Sequence, residues 1–300
     1  MFSTADRATG EHRCAVIGSP IRHSLSPALH RAGFDALRLG GWTYQAIDCD
    51  DAALAGLVGS LGVEWVGLSV TMPCKAAAAT LADRRSTRVE LLGAANTLLR
   101  KGSGWLAENT DVDGVIGALR AGGVDDPGSV LVLGGGSTAA SAVAAIAEMG
   151  ADRVVIATRR PAGRAAALGV ASRVGLPAAG CELTLQTLTE AAAAVDLVIS
   201  TLPAGVADPY ANVFADVEVL FDVVYHPWPT ALAAARRPGR TTVTGLDMLL
   251  HQAVGQFESF TGRPAPVKAM RGALRAAAGA DRGLLQARSV VDNGGRPAGS

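Results

Sequence analysis

A lysine, a carboxylate and a set of hydroxyls and amides in this chain could do chemistry together. Lysine is scarce, standing at Lys75, Lys101 and Lys268, while arginine supplies the other basic residues. Arginine keeps its proton in proteins whereas lysine can give it up, so a lysine kept against that background is a candidate acid or base. Lys75 ends the segment Ser69-Val-Thr71-Met-Pro73-Cys-Lys75. Four further segments have the same polar character: Gly18-Ser-Pro-Ile-Arg-His-Ser24-Leu-Ser26-Pro27, Gly93-Ala-Ala-Asn96-Thr97, Glu108-Asn109-Thr110-Asp111-Val-Asp113-Gly114 and Gly245-Leu-Asp-Met248-Leu-Leu-His-Gln252. Singly, each has an ordinary explanation. Ser24 and Ser26 could cap a helix, Asn96 could hold a turn, Asp111 could be an N-cap and Lys75 a solvated surface charge. Together they offer two hydroxyls, an amide, an ammonium and a carboxylate, a set that suits a small polyhydroxylated carboxylic acid.

A second chemistry lies at Gly134-Gly135-Gly136-Ser137-Thr138-Ala139. An apolar run precedes it and a helical pattern follows, the context that a dinucleotide-binding loop requires. Gly134 permits the tight turn, Gly136 lets backbone amides approach a pyrophosphate, and Ala139 is small enough for close helix–strand packing. The helix N-terminus adds the positive end of its dipole. The next strand ends Ala157-Thr158-Arg159-Arg160, with no acid to hold ribose hydroxyls. Two guanidiniums suit a 2′-phosphate instead, so the expected cofactor is NADP.

The elements that must position these residues follow an alternating pattern of short β-rich runs and alanine-rich helical ones, which predicts an α/β fold with a mostly parallel sheet. Strands are expected at 13–17, 42–49 and 65–72, a hairpin at 95–101 and 105–108, and then strands at 129–133, 153–157, 182–185, 196–201 and 217–224. Helices are expected from Ser26, with serine as N-cap and proline first in the helix, and over 51–59, 138–149, 248–260 and 266–278. The later strands with the glycine loop amount to a doubly wound nucleotide-binding domain.

Bulk properties narrow the function further. The 300 residues allow two domains of ordinary size, and 49% apolar against 18% charged residues suffices for sizeable cores. With zero formal net charge, nucleic acid and anionic membrane surfaces are not expected partners. Cys14, Cys49, Cys74 and Cys181 form no CxxC pair and read as buried thiols of a reducing compartment. No cluster has metal-ligand spacing, so no metal is expected. The polar stretch 1–11 is unlike a signal peptide and no apolar run spans a bilayer, which predicts a soluble, cytoplasmic protein.

The five segments resemble the motif set of the shikimate dehydrogenase family: the Ser-x-Ser clamp, the NVTxPxK strand end, the GAxNT turn, the NTDxxG helix start and the C-terminal Gly-x-x-Met-Leu signature with its glutamine. Asp222-Val-Val-Tyr225-His-Pro227-Trp-Pro-Thr230 resembles the family's DxxYxPxxT segment. The similarity runs from about Arg13 to about Ala278. Ser69 departs from it, standing where asparagine is usual. Thr158-Arg159-Arg160 departs from the usual Asn-Arg-Thr, and Ser137 and Thr138 make the end of the glycine loop atypical.

The resemblance implies reduction of 3-dehydroshikimate to shikimate with NADPH. It places Lys75 and Asp111 at the proton transfer, Ser24 and Ser26 on the substrate carboxylate, Thr71, Asn96 and Gln252 on ring hydroxyls, and Tyr225 near the substrate. Thr158, Arg159, Arg160, Thr201, Val223, Gly245 and Met248 join the glycine loop as cofactor residues, with Met248 against the nicotinamide; His23 and His251 are given structural roles. It also implies two α/β domains: 1–112 with 246–282 for the substrate, 113–245 as a Rossmann-type NADP domain, and 283–300 as a tail. A homodimer is left open. Three rival readings compete: a quinate/shikimate dehydrogenase using NAD, a methylene-tetrahydrofolate dehydrogenase, and a non-catalytic NADP- or shikimate-binding regulator. The missing acid after Ala157 counts against the first, as does the serine pair, since quinate-accepting relatives often carry threonine in one slot. The second lacks the Ser-x-Ser clamp and the NTDxxG start, and the third has no need of Lys75 with Asp111.

Overall fold

The computed structural model of the protein describes residues 10–280, which form two compact units. Among the described residues, one comprises 10–110 with Gln252–Ala277; the other comprises Asp111–His251 and 278–280. The expected tail at 283–300 and residues 1–9 lie outside the described residues.

The first unit runs β1 (His12–Gly18), α1 (Ser26–Ala36), β2 (Trp42–Asp48), α2 (Asp51–Ser60), β3 (Trp65–Val70), α3 (Lys75–Leu81), β4 (Arg84–Arg85), α4 (Thr87–Leu92), β5 (Thr97–Lys101) and β6 (Gly104–Glu108). These strands make one sheet in the order β2-β1-β3-β5-β6-β4. β1 is parallel to β2 and β3, and β5 is antiparallel to β3 and β6. Every residue from Cys14 to Ile17 is buried, as expected of a strand covered on both faces. Local chemistry sets the helix ends. The Asp50 carboxylate accepts from the Ala53 amide at 2.9 Å to cap α2. α4 is capped by Ser86 and stopped by Gly93 at φ 66°, a left-handed position suited to glycine.

The second unit runs α5 (Asp111–Ala121), β7 (Ser129–Leu133), α6 (Ser137–Glu148), β8 (Arg153–Thr158), α7 (Pro161–Arg173), β9 (Ala178–Glu182), α8 (Leu185–Ala192), β10 (Leu197–Ser200), β11 (Val219–Asp222), α9 (Ala231–Ala234) and β12 (Thr241–Thr244). All six strands are parallel, in the order β12-β11-β10-β7-β8-β9. Counted from β7, this is the 3-2-1-4-5-6 order of the doubly wound dinucleotide fold, whose strand order reverses between β7 and β10. Two helices close the described chain, α10 (Gly245–Thr261) and α11 (Val267–Ala280), and the division between units falls inside α10. Among the described residues no helix is long and apolar enough to cross a membrane.

Several expected bounds shift, as with the strand expected at 217–224 and found as Val219–Asp222, and three shifts have a clear local cause. Ser26 is the first residue of α1, not its N-cap; Leu25 holds that position, and Ser24 supplies the turn's side-chain acceptor, taking the Ser26 amide at 3.4 Å. The strand expected at 182–185 ends where it should begin. β9 lies upstream, because the Thr184 side chain accepts from the Thr187 amide in a capping box that starts α8. β3 stops at Val70, two residues short, as the chain turns into the cis Met72–Pro73 bond.

The core of the first unit contains one unusual group. His30 on α1 is fully buried and stacks on Tyr44 with ring centroids 4.2 Å apart and planes 4° from parallel. Among the described residues neither ring nitrogen has a partner at normal hydrogen-bond geometry, though Gln256 lies near enough to favour the protonated ring weakly. Burial pushes its pKa from 6.5 down to about 3, so the folded protein holds the ring neutral. The unfolded chain binds a proton near pH 6.5 that the folded state refuses. This group's stability contribution is therefore complete above pH 6.5 and declines as pH falls, by up to about 1.4 kcal/mol per pH unit. Replacing His30→Leu is expected to flatten the fall of Tm between about pH 6.5 and pH 4 relative to the parent protein. Parallel Tm curves for the two proteins would contradict this.

Candidate active site

Register gathers the first unit's polar segments at one edge of its sheet. The parallel strands β1 and β3 both end there, and their continuations are tied by backbone bonds from Thr71 to Ile17 (2.9 Å) and from Ser19 to Met72 (3.0 Å). Because β5 is antiparallel to β3, with Thr97 opposite Ser69, its first residues lie beside the last of β3. Thr97 is also opposite Glu108, so Asn109 and Thr110 leave β6 at that edge. Ser24, Ser26, Thr71, Lys75 and Asn96 thus share one sheet edge. Lys75 opens α3, and its carbonyl accepts the Ala95 amide at 2.9 Å, which places it next to the Asn96 turn. Lys75, Ser26, Asn96 and Gln252 are buried; Ser24 and Thr71 are half-buried.

The Asn96 turn is held on several sides. Asn96 Oδ1 accepts the Thr110 amide at 2.8 Å, and Asn96 Nδ2 donates to Thr110 Oγ1 at 2.9 Å. Asn109 Nδ2 donates to the Ala94 carbonyl at 3.0 Å. The motifs around Asn96 and Asn109 are therefore one interlocked structure, with the β5–β6 hairpin as its stem. Asp111 directly follows Thr110 and is the first residue of α5, where a carboxylate suits the positive end of the helix dipole.

In the second unit the glycine loop leaves β7 beside the point where the strand order reverses. Gly134 has φ 116°, and a Cβ there would meet Thr201 Oγ1 at 2.3 Å; Thr201, following β10, is itself fixed by donating to the Leu133 carbonyl at 2.8 Å. Gly135 packs backbone to backbone on Gly163 of α7, where a Cβ would lie 2.6 Å from the Gly163 carbonyl carbon. Gly136 differs: it caps α6, and a Cβ there would meet nothing within 4 Å. Protein packing thus accounts for two glycines and leaves the third facing open space, where an anion could approach the amides that open α6. Ala139 is fully buried, as its packing role demands.

At the end of β8 the Thr158 hydroxyl donates to the Arg160 carbonyl at 2.9 Å, and Arg160 is the N-cap of α7. Arg159 and Arg160 are exposed. Val223 follows β11 and lies directly against Gly245, while Met248 is buried one turn into α10. The loop carrying half-buried Tyr225 is pinned by Asp222, which accepts from Thr230 Oγ1 at 2.7 Å and from the Val224 amide at 3.2 Å. Burial pushes the Asp222 carboxyl up, and burial raises the Tyr225 phenol as well.

Several contributors escaped the sequence reading. Gly163 makes the glycine loop's close contact, and Asp222 with Thr230 holds the Tyr225 loop; the spacing of aspartate and threonine in the DxxYxPxxT pattern was the available signal. Tyr44, Thr97 and Gln256 join Ser69 in a buried network behind Asn96. Only the position of Gln256, one helical turn after Gln252, hinted at its place.

The chain is similar to proteins of known family. Residues 16–98 match the model of the shikimate dehydrogenase substrate binding domain, and 245–275 that of the shikimate 5'-dehydrogenase C-terminal domain. A shikimate dehydrogenase (NADP(+)) of Citrifermentans bemidjiense is 37% identical over 89% of this chain and 96% of the relative. The crystal structure of Mycobacterium tuberculosis shikimate dehydrogenase is similar with a TM-score of 0.82 and 48% identity, covering 88% of this chain and 99% of that one. A shikimate 5-dehydrogenase from Thermus thermophilus, solved with NADP(H) and shikimate, has a TM-score of 0.77 at 32% identity over 89% and 99% of the two chains. With relatives this similar over nearly their whole length, the chain belongs to the shikimate dehydrogenase family.

Proposed function

We propose that this protein catalyses the reversible reduction of 3-dehydroshikimate to shikimate with NADPH, a step toward chorismate and the aromatic amino acids. The observation that carries the reading is the convergence of Ser24, Ser26, Thr71, Lys75 and Asn96 on one sheet edge in a chain of this family.

The second unit fits NADP. The open approach at Gly136 suits a pyrophosphate, with Gly134, Gly135, Ser137, Thr138 and Ala139 shaping the loop, and exposed Arg159 and Arg160 suit the 2′-phosphate. Thr158, Thr201, Val223, Gly245 and Met248 complete the cofactor residues. When bound, NADPH supplies the hydride. The protein's own groups do the rest. Ser24 and Ser26 donate to the substrate carboxylate; Thr71, Asn96 and Gln252 hold ring hydroxyls, with Tyr225 nearby. The Lys75 ammonium stabilises negative charge on the carbonyl oxygen as it becomes an alkoxide and delivers the proton, and Asp111 orients the group that receives it. Residues 1–112 and 246–282 serve the substrate, with Met248 alone among them turned to the cofactor, and 113–245 serve the cofactor. A homodimer is part of the proposal, and so is a cytoplasmic location, which the four free thiols favour.

The test is optical: follow nicotinamide reduction with shikimate or quinate and NADP⁺ or NAD⁺. Rapid turnover confined to shikimate with NADP⁺ is expected; preference for quinate and NAD⁺, or none with any pair, would contradict the reading. Lys75→Ala is expected to lower kcat by about 10²–10⁴-fold with KM little changed, as for loss of a transition-state interaction. Near-full kcat would remove Lys75 from the mechanism.

The last two glycines of the loop separate packing from binding. Gly136→Ala is expected to shift Tm by a few degrees at most while weakening NADP binding by about tenfold or more. Gly135→Ala, facing backbone, is expected to lower Tm markedly. Equal Tm losses in the two variants would show that Gly136 too is fixed by packing.

A further inference from the structure

Ser69 is one of the places where the sequence leaves the family pattern, and its surroundings in the first unit explain what it does. Tyr44 OH donates to Ser69 Oγ at 2.6 Å, and Ser69 Oγ donates to Gln256 Oε1 at 2.6 Å. Gln256 Nε2 donates to the Asn96 carbonyl at 2.9 Å and to Thr97 Oγ1 at 3.0 Å. Thr97 Oγ1 donates to Asn96 Oδ1 at 2.8 Å. Tyr44, Thr97 and Gln256 are each no more than 1% exposed and Ser69 is 4% exposed, so water cannot stand in for a missing partner.

The direction of every bond in this chain is forced. A backbone carbonyl can only accept, so the Asn96 carbonyl obliges Gln256 to turn its Nε2 toward it. Gln256 Oε1 then faces Ser69 and can only accept, which makes Ser69 a donor and leaves its lone pair for the Tyr44 hydroxyl. On the other side Thr97 already accepts from Gln256 and so donates onward to Asn96 Oδ1. The Thr110 amide, a donor only, meets the same oxygen at 2.8 Å. A hydroxyl suits position 69 because it both accepts and donates at one atom.

We infer that Ser69 and Gln256 are positioning residues for Asn96: this one-way run of donors fixes which edge of the Asn96 amide is acceptor and which is donor, and so how Asn96 meets a substrate hydroxyl. The kinetic part of this inference rests on the proposed role of Asn96 as a substrate ligand; the positioning part rests on the geometry alone.

The test uses Gln256→Met, which keeps volume and removes both functions of the amide, and the pair Ser69→Ala and Ser69→Thr. Gln256→Met is expected to raise KM for shikimate about tenfold, with kcat within about threefold and KM for NADP⁺ unchanged. Ser69→Ala moves KM for shikimate the same way by a smaller factor, and Ser69→Thr, which restores the hydroxyl, returns it to the parent value. A crystal structure of the Gln256→Met protein is expected to show the Asn96 amide displaced or rotated; should Gln256→Met not fold, that of Ser69→Ala takes its place. An active parent protein with unaltered KM in Gln256→Met and Ser69→Ala overturns the inference. So does an Asn96 amide left where it was. Absence of shikimate turnover in the parent would instead count against the proposed function, and the position of Asn96 in the variant still decides the positioning role.

Discussion

The backbone carbonyl and side-chain amide of Asn96 carry a demand that much of the first unit answers. Both are buried, and a buried polar group left unpaired costs about 1–3 kcal/mol. The neighbouring Thr97 answers part of the demand, and two residues farther along the chain answer the rest: Thr110 from just past β6 and Gln256 from α10. Meeting it requires β5 to run antiparallel against β3 in the observed register and α10 to lie where Gln256 can reach. A one-residue slip of β5 would turn its side chains to the opposite face and lose both bonds. The turn holding Asn96 is thereby fixed by the same contacts that fix the sheet.

The second unit solves a different problem by different means. The anion recognition proposed for its glycine loop would use main-chain amides, so what the sequence must supply is absence: no Cβ where Gly134 meets Thr201 or where Gly135 meets Gly163. Rigid parallel strands, buried on both faces, hold the loop in place, and α6 points its amino end along it. In the proposed function, specificity for the far end of the cofactor is assigned to Arg159 and Arg160 at the end of β8, where guanidiniums suit a phosphate and would poorly suit a pair of ribose hydroxyls.

Much of this was legible in the residues. The continuous apolar run of β7 and the glycines after it announced the nucleotide-binding half, and polar segments at strand ends announced the other. β9 gives little strand signal because Ala178-Ala179-Gly180 lies at a sheet edge and carries neither apolar alternation nor β-branched residues, while Thr184 in the strand expected at 182–185 is instead a helix cap. Ser26 looked like a cap because serine before proline usually is one; here the chain enters the helix a residue earlier. The network behind Asn96 was illegible for a deeper reason. Ser69 and Gln256 are 187 residues apart, and local spacing carries no trace of such a pairing. Ser69 could be seen as an oddity, but its partners could not be named.

In the proposed function, the first unit's Asn96-centred edge forms the shikimate site. The most direct measurement is calorimetric titration of shikimate into the protein without cofactor, repeated with Asn96→Ala. The account predicts saturable binding to the parent protein and loss of about 1–3 kcal/mol of binding free energy, roughly five- to two-hundredfold in Kd, in the variant. Undiminished binding to Asn96→Ala, or no binding to the parent, would contradict it.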